Sequence, residues 1–352
     1  MSGLPGQGGG EAALGGEIPP ELVAEADAKR EPGLSPNRLA WRRLKRNRGA
    51  MASGLVFILL VLACLAAPLW ASHVAHRGPD DSPGGTETVE KGGEQVLILG
   101  LDGIPVGPTL HGEYFLGADS NGRDVMVRLL YGGRNSLLIG IGAALGTTIM
   151  AVVLGLMAGY FRGFTDGAIA RFMDIIWAFP VILLGIALGV ALAESGVTIG
   201  PLTLQSGSLW IPIAIIAVVY IPYMARPIRG EVLALREKEF VDAARAQGMG
   251  SLRIMFSEIF PNIVTLLIVF FPLMVANAIL LEAALSFLGA GVQAPTPSWG
   301  TMLDDGVSRI ITAPTLAVIP GAMLVATVLS LNAFGEGVRD ALDPRAKLRI
   351  EG

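Results

Sequence analysis

Glu282 is the one carboxylate deep in the apolar second half of this chain. A charge there is costly to bury and marks a functional position by default. Two roles compete for it: lining a polar pathway near an outer gate, or capping the chain break at Gly289-Ala290-Gly291. Asn277, a helical turn or so earlier, is the second polar candidate for a pathway. Other reactive groups are sparse. His73, His76 and His111 share one polar loop, and no further ligands gather around the His73-x-x-His76 pair, so no metal site is expected. Cys64 is the single cysteine and lies in an apolar run, which excludes a disulfide framework. No nucleophile stands beside a base, so no catalytic residue is assigned. No G-x-x-x-x-G-K-S/T phosphate loop occurs, so the chain does not bind and split ATP by that chemistry.

Two charged groupings remain. Asp119, Arg123, Asp124 and Arg128 can satisfy one another in a compact turn; as exposed pairs each is worth less than about 1 kcal/mol. Too little stability comes from such pairs to explain the turn, so a contact on the outer face is expected of it. The other grouping is residues 239–261, EFVDAARAQGMGSLRIMFSEIFP, an island between apolar segments 209–224 and 262–281. Ala243, Ala244 and Ala246 are strong helix formers that leave a smooth face for another protein. Gly248 and Gly250 are placed to end that helix and turn the chain. A second short helix over about 251–259 then leads to Pro261, which opens the next apolar helix.

The elements that position these groups are membrane spans. The chain has 352 residues, 52% hydrophobic and only 16% charged, with mean hydropathy +0.58. Soluble domains carry about 25% charged residues, so this is a multi-pass, all-α membrane protein by composition, with the lipid bilayer as one partner and no nucleic-acid partner. Residues 1–37 read as a disordered acidic tail. Arg38, Arg42, Arg43, Lys45, Arg46 and Arg48 then flank a first span at 50–71, which puts the N-terminus in the cytoplasm. Segment 38–72 is this basic anchor and its span. Segment 73–135 is an extracytoplasmic loop, with a short strand at 94–101 and a surface-lying helix at 124–131.

Five further spans fill a core at 136–334. They are 136–161, carrying Gly142-x-x-x-Gly146 and Gly155-x-x-x-Gly159 for close packing, and 175–192 with a kink at Pro180. The others are one from 209 that enters the cytoplasm at Arg226 and Arg229, one from 262, and one at 313–334. Residues 162–174 form a short cytoplasmic loop ending in a charged interface at Arg171 and Asp174. Residues 226–261 are the long cytoplasmic loop and 335–352 a cytoplasmic tail with a basic end.

Within that frame, Asp242-Ala243-Ala244, then three residues, then Gly248, then Pro261, resembles the EAA coupling loop of ABC importer permeases, with Asp242 where Glu is usual. The segment LGADSNGRDVMVRLLYGGRNSL (116–137) resembles the LGTD-x-x-GRD-x-x-SR signature of dipeptide, oligopeptide and nickel permeases of the C-subunit type; Ala118 and Val127 depart from it. EAALSFLGAGVQAPTPSWGTML (282–303) and the GEGVRDALDPR ending are similar to the same family, with Glu336 for Asp.

The resemblance implies six transmembrane helices of a type I importer permease, both termini cytoplasmic, in the plasma (inner) membrane. It implies that the chain is a non-catalytic pore subunit for peptides or related solutes, nickel or its chelates among them. Its implied partners are a homologous second permease, two cytoplasmic ATPase subunits that bind the ATP and Mg, and an extracytoplasmic substrate-binding protein. Glu239, Phe240, Asp242, Ala243, Ala244, Gly248, Arg253 and Pro261 would meet the ATPase. Asn277 and Glu282 would serve the pathway or gate. Asp119, Arg123, Asp124 and Arg128 would face the binding protein. The rival class, a secondary transporter or channel, predicts charged pairs at the membrane centre and inverted repeats; one deep carboxylate without a basic partner in a span argues against it.

Overall fold

The computed structural model describes residues 36–82, 86–199, 202–205 and 207–343. The acidic stretch 1–35 and the basic end 344–352 lie outside the described residues. The chain divides into two units, Met1–Arg43 and Leu44–Gly352. The described part of the first is the opening of helix α1 (Pro36–Arg46), where Arg38 and Arg42 are exposed.

The second unit is mostly helical. Asn47 accepts a hydrogen bond from Ala50 N at 3.1 Å and so caps α2 (Arg48–Leu65). A short turn, Ala67–Trp70, and a wider one, Ala71–Ala75, extend it. In the outer loop β1 (Thr88–Lys91) pairs antiparallel with β2 (Glu94–Leu97). Gly92 and Gly93 take φ of +63° and +88° between them, the conformation that a two-residue hairpin turn demands. The expected strand is therefore present but four residues long.

Helix α3 (Val125–Phe161) is 37 residues long. It corrects the surface-lying helix expected at 124–131, which is instead the first turns of this span. Gly132 and Gly133 do not break it, because a tight packing surface needs them. A Cβ on Gly133 would stand 2.5 Å from Cys64 Sγ and 2.6 Å from the Trp299 ring. Gly155 and Gly159 face Ile228 and Val232 as closely, so the small-residue repeats do bring helices together.

Helix α4 (Gly163–Trp177) takes in most of the loop expected at 162–174 and the first residues of the span expected at 175–192. It meets α5 (Val181–Ser195) at an angle of 86°, far sharper than a kink. Pro180 cannot continue α4, and it disfavours α geometry at the residue before it. After the hairpin β3 (Val197–Ile199) and β4 (Leu202–Leu204) come α6 (Trp210–Val219) and α7 (Ile221–Arg236), bent by 44° at Tyr220. Arg226 and Arg229 therefore sit within a helix rather than at its exit. They form a ladder with α4: Arg229 clasps Asp166 through two bonds at 2.5 and 2.7 Å, and Arg226 reaches Asp174 at 2.8 Å.

Helix α8 (Glu239–Ala246) follows, then α9 (Ser251–Phe287), which fuses the expected second loop helix with the fifth span. A wider turn at Ile254–Ile259 precedes Pro261, so the break expected there does not occur. The extra residue in that turn accommodates a ring that would otherwise meet the carbonyl four residues back. Helix α10 (Trp299–Val307) and α11 (Thr315–Leu342) complete the chain. The helix thus runs into the expected tail, where Gly337 lets Ala50 of α2 approach: a Cβ there would lie 2.1 Å from that of Ala50. By length and composition, four helices can cross a membrane, or six if each bent pair is one span.

Candidate functional site

The loop at 239–261 is built by burial on one side and exposure on the other. Val241 and Ala244 of α8, with Ile254, Met255 and Ile259 of α9, are buried in the main core. Phe240, Leu252 and Phe256 remain 39%, 67% and 56% exposed. Three large apolar side chains in water on a charged loop form a surface suited to a protein partner. Glu239, Asp242, Ala243, Gly248 and Arg253 are exposed beside them, and Pro261 borders the face. Ala244 is the exception among the expected contact residues, since it faces the chain's own core.

Gly248 ends α8. It takes φ +80°, its N–H bonds to Arg245 O at 2.9 Å, and Met249 N bonds to Ala244 O at 3.1 Å. This pair of bonds is a Schellman termination, which satisfies carbonyls the helix end would leave open. Gly250, expected to turn as well, is extended with φ −67°. Arg245 bonds Asp242 at 2.8 Å and lies over the Tyr160 ring at 5.8 Å, which ties α8 to the end of α3.

On the other side of the bundle, Glu282 is fully buried and takes a hydrogen bond from Ser286 Oγ at 2.8 Å. The Ser136 and Ser298 hydroxyls stand beside it. Each serine oxygen also accepts from a backbone N–H: Ser286 from Val292 at 2.9 Å, Ser136 from Trp299 at 3.2 Å, Ser298 from Thr301 at 3.2 Å. A hydroxyl that accepts from the backbone still has a proton to give. Glu282 thus sits at the hub that fixes the turn between α9 and α10. Its Oε2 has no full hydrogen bond among the described residues. Asn277 is half-buried, and Tyr220 donates to its backbone carbonyl at 3.3 Å. Five residues apart, the two lie on different helix faces, and the structure does not bring them together.

The outer cluster is buried, which corrects the expectation of exposed pairs. Asp119, Arg123, Asp124 and Arg128 are 5%, 8%, 1% and 3% exposed. Arg123 Nε bonds Asp119 at 2.7 Å, and its Nη2 reaches Asp305 of α10 at 3.4 Å. Arg128 reaches Asp80 at 3.0 Å, Pro79 O at 2.9 Å, Asp119 at 3.4 Å and Pro295 O at 3.3 Å. Asp124 caps α3 through Met126 N and Val127 N, and accepts Tyr114 N at 2.7 Å. Burial pushes the Asp124 carboxyl above its usual range, against the pull of those N–H groups. Burial also pushes the Tyr114 phenol up to about 12. Arg123 and Arg128 both reach Asp119, as the expected compact turn required, whereas partners 167 and 182 residues away in sequence gave no local signal that the motif would be buried. Among the described residues, no cluster of His, Cys, Asp and Glu could hold a metal.

The family of binding-protein-dependent transport system inner membrane components matches residues 151–348. The N-terminal TM domain of oligopeptide transport permease C matches residues 35–81. The dipeptide transport system permease protein DppC of Alkalihalophilus pseudofirmus is 38% identical over 89% of this chain and 91% of its own. The glutathione transport system permease protein GsiD of Pectobacterium atrosepticum is 36% identical over 89% of this chain and 92% of its own. Among solved structures, the inward-facing MetNI methionine ABC transporter aligns at 18% identity and TM-score 0.49, over 61% of this chain and 97% of that one.

Proposed function

This chain belongs to the C-type permeases of peptide ABC importers, and we propose that its 239–261 loop is where a partner ATPase pushes. It is a non-catalytic membrane subunit of an ATP-driven importer. In this reading α8 and the start of α9 dock in a groove of a cytoplasmic ATPase that holds the ATP and Mg. Closure of an ATPase pair moves both helices, and the packed spans rock between inward-facing and outward-facing arrangements. A second, homologous permease completes the pore, and an extracytoplasmic binding protein delivers the solute. Both termini are cytoplasmic and each bent pair is one span, which gives six.

The substrate class we put forward is small peptides, glutathione included, because the relatives above are named for dipeptide and glutathione transport. Nickel is not put forward, since neither of those two is named for it. We assign Glu282 to holding the α9–α10 turn rather than to touching solute, and the outer cluster to bracing the extracytoplasmic face. Asn277 keeps a pathway role.

The exposure of Phe240, Leu252 and Phe256 beside buried Val241 and Ala244 carries the coupling reading. Phe240→Asp tests it. A charge at this exposed site leaves chain folding intact, so membrane levels hold. Loss of a buried aromatic anchor lowers ATPase co-purification about thirtyfold or more. Undiminished co-purification would remove the loop from the interface. A secondary transporter or channel would carry no ATPase even with the unchanged chain.

A further inference from the structure

Two features that the coupling reading leaves unused meet at the cytoplasmic ends of α2 and α11. The first is a groove of about 490 Å³ between α3, α9 and α11. Ile268, Phe271 and Pro272 wall one side, Phe334 and Val338 the other, and Thr148 is its one polar side chain. The Thr148 hydroxyl donates to Ala144 O of its own helix at 2.7 Å, so it offers no proton to a guest. A groove of this volume is large enough for a ligand, and its lining suits hydrocarbon rather than a polar solute.

The second feature is a pair of exposed arginines, Arg46 and Arg48, where α1 gives way to α2; the end of α11 that packs there also exposes Glu336, Arg339 and Asp340. Val338 and Phe334 also pack against Leu44, near the end of α1, and Ala50, at the start of α2. The backbone there is close: a Cβ on Gly337 would stand 2.1 Å from Ala50 Cβ and 3.6 Å from Asn47 Nδ2. Asn47 lies between Arg46 and Arg48, both exposed and without an ion pair among the described residues. The slot therefore shares Phe334 and Val338 with the contact that seats Asn47, the residue that Arg46 and Arg48 flank in the chain.

We propose that this groove holds one acyl chain of an anionic phospholipid, with its phosphate on Arg46 and Arg48. Arginine suits the headgroup because its planar fork pairs with phosphate oxygens. The wall supplies its own opening, since Pro272 leaves an α-helical carbonyl without its donor and its ring interrupts regular packing of α9. The lipid would sit between α3 and α11 and against α9, the helix that carries the second half of the 239–261 loop. The proposal rests on the permease reading for which leaflet the groove meets.

The test uses the permease purified with its ATPase partners and reconstituted in phosphatidylcholine containing a minor fraction of phosphatidylglycerol. After mild detergent extraction, native mass spectrometry counts the phosphatidylglycerol retained per chain. Arg46→Gln with Arg48→Gln lowers retention about fivefold per charge, roughly thirtyfold for both. Ile268→Trp, which fills the groove and leaves the cations in place, also lowers it. Equal retention in both variants, or retention of phosphatidylcholine as strong as that of phosphatidylglycerol, overturns the proposal. So does a cross-link from a cysteine at Ile268 (in a Cys64→Ala background) to a second permease subunit, which would make the groove an interface. ATPase co-purification is followed in the same preparations. In the unchanged permease, absence of the ATPase with phosphatidylglycerol retained counts against the coupling loop, and presence of the ATPase with no phosphatidylglycerol retained counts against the groove alone.

Discussion

Arg128 has more acceptors around it than a single carboxylate supplies: two carboxylates and two backbone carbonyls, drawn from three stretches of chain. At 3% exposure it is desolvated, so what it touches decides its worth. Removing one member of such a buried set leaves the others unpaired. Arg128→Ala is expected to destabilise the chain by about 3 kcal/mol, read as a lowered melting midpoint and a lower yield of monodisperse protein in detergent. Arg128→Lys keeps the charge but cannot reach all four acceptors, and falls between. An Arg128→Ala chain that melts like the parent, yet transports poorly, would instead return the cluster to a contact role. From the sequence the four charges were visible, but their burial was not. Besides Asp119 close by, Arg123 and Arg128 reach Asp305 and Pro295, 182 and 167 residues away, and sequence spacing carries no trace of that. Glu282 was more legible, because a lone carboxylate in an apolar stretch must be satisfied somewhere. The three serines that surround it were not, since each looks like an ordinary small residue until the turn folds over.

At the scale of elements, α8 was readable almost to its last residue. Alanines set its interior, and Gly248 alone could supply the positive φ that ends it. Nothing stands within 4 Å of a Cβ built on Gly248, so backbone strain and not crowding sets the effect of a substitution there. Gly248→Ala costs about 1–2 kcal/mol of local stability. Hydrogen exchange over residues 239–249 should quicken about tenfold or more, while the melting midpoint of the spans holds. ATPase stimulation by a loaded binding protein should fall with it, because a lever that frays transmits less. Unchanged exchange would show that Gly248 does not set the end of α8. The elements that escaped the sequence share one cause. A proline announces that something happens at Pro180 or Pro261, but the outcome depends on neighbours in space. At Pro180 the chain turns by 86°, and at Pro261 a widened turn absorbs the ring. Likewise a surface-lying helix was expected at 124–131, separate from the span at 136–161, whereas Asp124 caps one helix that runs through both.

For the whole molecule, the two bent pairs must be counted together. Helices α2, α3, α9 and α11 each cross by length. If only one bent pair also crossed, the loop at 239–261 would fall on the opposite side from the N-terminus, out of reach of a cytoplasmic ATPase. The coupling reading therefore requires that both pairs cross or that neither does, which keeps the loop inside in either case. The hairpin of β3 and β4 distinguishes them, because it lies outside with six spans and inside with four. Composition favours six. Helix α4 carries Asp166, Arg171 and Asp174 and suits the interface, while α5 holds no charge until Glu194 and suits the interior. An interfacial helix turning into a crossing one gives a bend near a right angle. Single cysteines in a Cys64→Ala background test this with an impermeant reagent on intact cells. Leu101→Cys, fully exposed in the outer loop, labels from outside, and Leu252→Cys on the coupling face labels only after permeabilisation. Gln205→Cys, exposed beside β4, is the deciding position. Labelling from outside establishes two broken spans, whereas protection until the cells are opened establishes two re-entrant hairpins and a four-span subunit.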